Sequence, residues 1–133
     1  FDGLGLMANY TWTGSSTTFP ERAETSSLPG QSAHVGNVSV WYEKRGASVR
    51  ASWNFHGRFI SEVGPSDDQD VYYDNHVQLD LNVGYRLTRN IQVYADFLNL
   101  TNAPLRYYIG PSDRPIQQEY YRWWTMAGVR VNF

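Results

Sequence analysis

Apolar and polar residues alternate along most of this chain, and the period is two. The clearest stretch is 76–88, HVQLDLNVGYRLT. Val77, Leu79, Leu81, Val83, Tyr85 and Leu87 fall on one side of it. His76, Gln78, Asp80, Asn82, Gly84, Arg86 and Thr88 fall on the other. A helix would scatter the six apolar side chains around its circumference, whereas a strand gathers them on one face. Segment 47–60 sets Val49, Ala51, Trp53, Phe55 and Phe59 against Arg50, Ser52, Asn54, His56 and Arg58. Segment 3–13 sets Leu4, Leu6, Ala8, Tyr10 and Trp12 against Gly5, Met7, Asn9 and Thr11. The same alternation runs through 34–45, 91–101 and 118–133, and it predicts six strands.

The connections predicted between these strands alternate in length. Segments 14–33, 61–75 and 102–117 are long, whereas Lys44-Arg45-Gly46 and Thr88-Arg89-Asn90 mark tight turns. In an up-and-down meander every long connection then leaves from one end, as in outer-membrane barrels. The thirteen residues of 76–88 would extend ~44 Å. Tilted by roughly 45°, they would cross about 31 Å, enough for an apolar band of ~25 Å. Strands of soluble proteins have about five or six residues. The expected fold is all-β: an antiparallel up-and-down meander of about six long strands, part of a transmembrane β-barrel.

Aromatic residues sit toward the predicted strand ends: Tyr10 and Trp12, Trp41 and Tyr42, Phe55 and Phe59, Tyr121, Trp123 and Trp124, and Phe133. That placement suits interfacial girdles. Alternation alone does not tell inside from outside. The length of the strands favours apolar side chains turned outward. The mixed polar set Arg50, Asn54, His56, Arg58, Gln78, Asp80, Asn82, Arg86, Gln92 and Asp96 would then face a wet or plugged lumen. Six strands are fewer than the roughly eight that close a membrane barrel. An open sheet in lipid would leave backbone groups unpaired at several kcal/mol each. A piece of a larger barrel, or a subunit that closes between chains, is therefore expected.

Composition narrows the classes further. The chain has 133 residues, a formal net charge of −2, 16% aromatic residues and no cysteine. One domain is the upper limit at this length. The charge balance gives no electrostatic case for nucleic acid. The absence of cysteine excludes a disulfide framework and thiolate metal sites. No stretch approaches the ~18 apolar residues of a spanning helix.

The C-terminal third, IQVYADFLNLTNAPLRYYIG…RPIQQEYYRWWTMAGVRVNF, resembles the end of a TonB-dependent outer-membrane receptor. The residues that carry the resemblance are Asn99-Leu100-Thr101-Asn102, the loop with Tyr107, Tyr108 and Gly110, and the final Gly128-Val129-Arg130-Val131-Asn132-Phe133. Upstream, Leu28-Pro29-Gly30-Gln31-Ser32, His34-Val35-Gly36-Asn37, Tyr42-Glu43-Lys44 and Gln78-Leu79-Asp80 are similar to the family as well. The resemblance spans 1–133 and corresponds to the last six strands of a 22-stranded barrel, without the plug and the earlier strands. It implies import of a scarce nutrient such as a siderophore or glycan across the bacterial outer membrane. It also implies partnership with outer-membrane lipid, with the remaining strands and plug, and with the TonB complex acting through the plug. Gly128, Val131 and Phe133 resemble the last-strand signal read by the barrel assembly machinery, which would add this strand to its own open edge. Met126 stands where the family pattern often has a polar residue.

Candidate chemistry is sparse. Tyr72, Tyr73, Tyr107 and Tyr108 lie in two of the long loops and could stack on sugar or catechol rings, with Asp113 and Arg114 adding hydrogen bonds. Asp67-Asp68-Gln69-Asp70 offers carboxylates for Ca²⁺ but lacks the alternate spacing of a calcium loop. A solvated loop is the expectation there. His34, His56 and His76 have no metal-ligand spacing. No nucleophile elbow accompanies the Ser, His and Asp residues. No cofactor or metal site is expected, and no enzyme, with an outer-membrane barrel enzyme kept as a remote alternative. Two further classes stay open: a stand-alone or oligomeric porin-like barrel, and a soluble ligand-binding barrel.

Overall fold

A computed structural model describes residues 2–20, 22 and 24–133. Its strands in chain order are β1 (Leu4–Trp12), β2 (Thr17–Thr18), β3 (Thr25–Ser26), β4 (His34–Lys44), β5 (Ala47–His56) and β6 (Phe59–Glu62). They continue with β7 (Val71–Tyr73), β8 (His76–Arg86), β9 (Ile91–Leu98), β10 (Leu105–Ile109), β11 (Pro115–Glu119) and β12 (Trp124–Val131). The described residues form no α-helix. A 3₁₀ turn covers Asp67–Gln69.

The six long strands make one antiparallel sheet in the order β1-β4-β5-β8-β9-β12. Each strand pairs with the next long strand in the chain, so the sheet is an up-and-down meander. Its tight turns have local causes. Lys44 pairs with Ala47, and the two residues between, Arg45 and Gly46, both have positive φ, 50° and 85°. That is the backbone a two-residue hairpin needs to match strand twist. At the second turn the Thr88 hydroxyl accepts the N–H groups of Asn90 and Ile91.

Three strand boundaries differ from the sequence expectation. The strand expected over 47–60 breaks at Gly57. The Gly57 N–H donates to the His34 carbonyl at 2.8 Å. A Cβ there would lie 2.9 Å from Ser32 Oγ and 3.0 Å from the His34 oxygen. Only glycine fits, and the chain turns out of the sheet. The strand expected over 91–101 stops at Leu98, because Asn99 and Asn102 take φ values of 56° and 49°. The strand expected over 118–133 splits, with Pro115–Glu119 in a different sheet from Trp124–Val131. The long strands therefore run from 8 to 11 residues. At ~3.4 Å per residue and a ~45° tilt they span roughly 19–26 Å.

The three long connections all leave from one end of the sheet, where Trp12 meets His34, His56 meets His76, and Leu98 meets Trp124. They are not plain loops. Two of them build a second antiparallel sheet, β11-β10-β7-β6, and the first forms the small β2–β3 hairpin.

The sequence phase is kept across the whole main sheet. The register places Leu6, Val40, Ala51, Leu81 and Phe97 in one lateral row, and Met7, Ser39, Ser52 and Asp80 in the next. One face is thus continuously apolar and the other mainly polar. Trp41 departs from the girdle expectation. It lies on the polar face over Gly5, where a Cβ would come within 2.2 Å of its ring.

The buried apolar residues among those described are Ile60, Ala103 and Tyr108. Ile60 and Tyr108 share one face of the second sheet through the Ile60–Tyr72–Tyr108 row. The 13–33 segment folds onto the second sheet, with the Gly30 N–H donating to the Ile60 carbonyl. Among the described residues no apolar core covers either face of the main sheet. The accessible surface is 9206 Å², against about 7,100 Å² for a compact globule of this mass. Among the described residues β1 and β12 each pair on one side only.

Candidate functional site

Two groups of side chains offer recognition chemistry: the polar face of the main sheet and the aromatic ladder of the second sheet. On the polar face, strand pairing aligns Asn54 with Gln78, Arg50 with Asn82, Asn82 with Asp96 and Arg86 with Gln92. Hydrogen bonds run between and along the strands. Asn37 donates to Asn54 at 2.6 Å, Asn54 to Asp80 at 3.2 Å, Gln78 to Asp80 at 2.8 Å and Asn82 to Asp96 at 2.8 Å. Asp80 Oδ1 also accepts the Asn99 N–H at 2.9 Å, so one carboxylate ties β8 to the exit of β9. The guanidinium of Arg50 lies 4.8 Å from the Trp41 ring, and that of Arg130 lies 5.9 Å from Tyr94.

Nine of the ten residues expected on the polar face share it: Arg50, Asn54, His56, Gln78, Asp80, Asn82, Arg86, Gln92 and Asp96. Arg58 does not. It follows the Gly57 bend, and its guanidinium sits 5.9 Å from the Tyr72 ring. Sequence reasoning missed the roles of Asn37, Ser39, Ser52 and Asn99. The first three occupy polar-phase positions, which was the signal for them. Asn99 is an organiser of the 99–103 turn: its side chain accepts from the Ala103 N–H at 2.8 Å and donates to the Arg122 carbonyl at 3.2 Å. Thr101 then prolongs the ladder, its hydroxyl donating to the Val77 carbonyl.

In the second sheet Tyr73 pairs with Phe59 and Tyr107, and Tyr72 pairs with Ile60 and Tyr108. Strand alternation therefore divides the four candidate tyrosines. Tyr73 stacks on Phe59 at 5.1 Å and meets Tyr107 edge-on at 5.2 Å. His56 approaches Phe59 and Tyr73 edge-on. This half of the ladder continues the polar face. Tyr72 and Tyr108 stack at 5.3 Å on the opposite side. Tyr108 is 1% exposed and presents no ring face to a ligand, which corrects its place among the contact candidates. Asp113 and Arg114 lie exposed at the tip of the β10–β11 hairpin, apart from the paired tyrosines. Burial raises the hydroxyl pKa of Tyr72 and Tyr73. The Asp70 carboxylate adds to the effect on Tyr72, and Tyr107 to that on Tyr73.

Asp70 corrects the expectation of a solvated acidic loop. It is fully buried, accepts the Gly64 N–H at 2.8 Å and pairs with Arg22 at 2.8 Å. Arg22 also pairs with Asp67. These contacts pin the 13–33 segment to the second sheet. Among the described residues no group of three or more His, Asp or Glu side chains is placed to hold a metal ion.

Comparison with protein-family models, with curated proteins and with solved structures found no match. The functional reading rests on the chain's own geometry.

Proposed function

We propose that residues 1–133 form wall, lumen lining and outer loops of a TonB-dependent outer-membrane transporter for a scarce nutrient. One observation carries the reading. The six-stranded meander has a continuous apolar face backed by a cross-linked polar face, with every long excursion at one end. Apolar residues facing lipid and polar residues facing a lumen are what a membrane barrel requires. Four of the six strands, at 9–11 residues, match a tilted spanning strand of about 9–11 residues, and β9 and β12 fall one residue short. Exposed apolar side chains such as Leu6 at 68% and Val129 at 62% are tolerable in lipid and costly in water.

In this reading the open edges of β1 and β12 pair with further strands, removing unpaired backbone from the bilayer. The plug fills the lumen and connects to the TonB complex. Gly128, Val131 and Phe133 serve recognition by the assembly machinery. The ladder half made of Phe59, Tyr73 and Tyr107 faces the ligand path. These residues hold and guide rather than catalyse.

The chain has no cysteine, so single cysteines introduced here, with any cysteine elsewhere in the protein replaced by serine, report position cleanly. Ala51→Cys and Ser52→Cys, each carrying a bimane probe, are to be compared in the whole protein in outer membranes. Spin-labelled lipid is expected to quench the probe at 51 and spare the one at 52. Quenching at 52 instead, or at neither position, would overturn the proposal.

A further inference from the structure

A second recognition surface lies away from the polar face. The 13–33 segment and the Tyr72 side of the second sheet enclose a cleft of about 710 Å³, within the ~300–1,000 Å³ of ligand sites. Its lining is rich in hydroxyl and amide groups, including Thr13, Ser15, Ser26, Gln31 and Asn75. Trp12 and Arg58 border it. Trp12 belongs to the apolar face of the main sheet, and Ile60 and Tyr72 belong to the side of the second sheet opposite Phe59 and Tyr73. Phe59 lines the cleft as well, so the cleft lies mainly, not wholly, on the reverse of the ligand path.

Three features of this cleft call for a ligand. The Gln31 side-chain oxygen is buried without a hydrogen-bond partner, and such a group is destabilising until a donor reaches it. The Trp12 ring is 68% exposed at the border, a flat apolar plate beside hydroxyls. Arg58 has no carboxylate partner among the described residues and is held near the Tyr72 ring. A sugar ring matches all three: its C–H face packs on an indole, its hydroxyls donate to an amide oxygen, and its oxygens accept from a guanidinium.

We infer that the cleft formed by Trp12, Gln31, Arg58 and the serine-threonine lining is a saccharide-binding site on the outward side of the wall. The site goes beyond the transport reading. Only its position above the lipid-facing girdle, beside Tyr10 and Trp12, rests on that reading. The sugar could be the headgroup of a membrane glycolipid or a free glycan, and the chemistry recognised is the same.

The test uses the whole protein in detergent, with two probes measured by calorimetry. One is lipopolysaccharide in mixed micelles; the other is the oligosaccharide released from it by mild acid. Trp12→Ala and Gln31→Leu are each expected to weaken binding at least tenfold. Arg89→Ala, at the exposed tight turn on the opposite end of the main sheet, is expected to leave it unchanged. Because Trp12 is exposed, its variant separates recognition from folding. Binding of both probes assigns a free glycan, and binding of the micellar form alone assigns a membrane glycolipid; either supports the site if the two variants lose it. Binding that survives both variants, or no binding of either probe, overturns the site. Oligosaccharide binding lost in Trp12→Ala, in a protein whose residue 51 is not quenched by lipid, would keep the site and sink the transport reading.

Discussion

Asp70 shows how much one side chain can organise. Its carboxylate is fully buried and meets Arg22, whose side chain is 4% exposed. Removing one partner of such a pair leaves an uncompensated charge, at about 3–5 kcal/mol. Arg22→Ala is therefore expected to release the 13–33 segment, read as faster hydrogen exchange at the Gly64 amide that Asp70 accepts. Adding Asp70→Asn removes the stranded charge and is expected to restore part of the protection. A double variant no slower in exchange than Arg22→Ala would contradict this account. At the surface, hydrogen bonds from Tyr121 and then Gln117 hold the Glu119 carboxyl below its ordinary pKa. The contribution of that contact is present above the ordinary carboxylate range and fades as pH falls through the lowered value. Tyr121→Phe is expected to move the Glu119 titration upward, toward the ordinary value, in a carbon-13 NMR titration. An unmoved midpoint would show that Tyr121 is not the cause.

Elements are joined here by close approach as well as by ladders. Gly128 on β12 faces Tyr94 on β9, and a Cβ there would lie 2.6 Å from the Tyr94 hydroxyl. Arg130 covers the same ring. Gly128→Val is expected to cost about 1–3 kcal/mol through overpacking, read as a lower thermal midpoint in detergent; an unchanged midpoint would mean that the tyrosine simply swings away. The second sheet has its own pH limit. Tyr72 and Tyr73 have hydroxyl pKa values raised mainly by burial. Folding that favours the neutral phenol contributes fully below the ordinary value of about 10. That contribution is lost as pH rises through the higher folded values. Phenolate absorbance should therefore lag behind that of free tyrosine in alkali, and the second sheet should loosen before the main sheet does. The boundaries of these elements were only partly legible. Period two placed all six long strands, because burial and exposure alternate with the pleat. It did not show Gly57 as the exit from the main sheet, since the reason is the proximity of Ser32 and His34, 25 and 23 residues away in the chain.

At the scale of the molecule, the described residues leave the main sheet without an apolar core on either face. In the reading proposed above, lipid and neighbouring strands cover the apolar face and the edges at β1 and β12. The main sheet alone, placed in water without detergent, is expected to aggregate; a monodisperse soluble monomer by sedimentation would refute the membrane reading. The sequence by itself determined the strand phase, the meander and the separation of apolar from polar faces. Those follow from local alternation and turn chemistry, which neighbouring residues carry. Only the tertiary structure decided which tyrosines pair, that Tyr108 is hidden while Tyr73 and Tyr107 are half-buried, that Asp70 is buried, and that Arg58 leaves the polar face. Each of these depends on how the long connections fold onto one another. Contacts between residues tens of positions apart decide that outcome, and no local pattern encodes them.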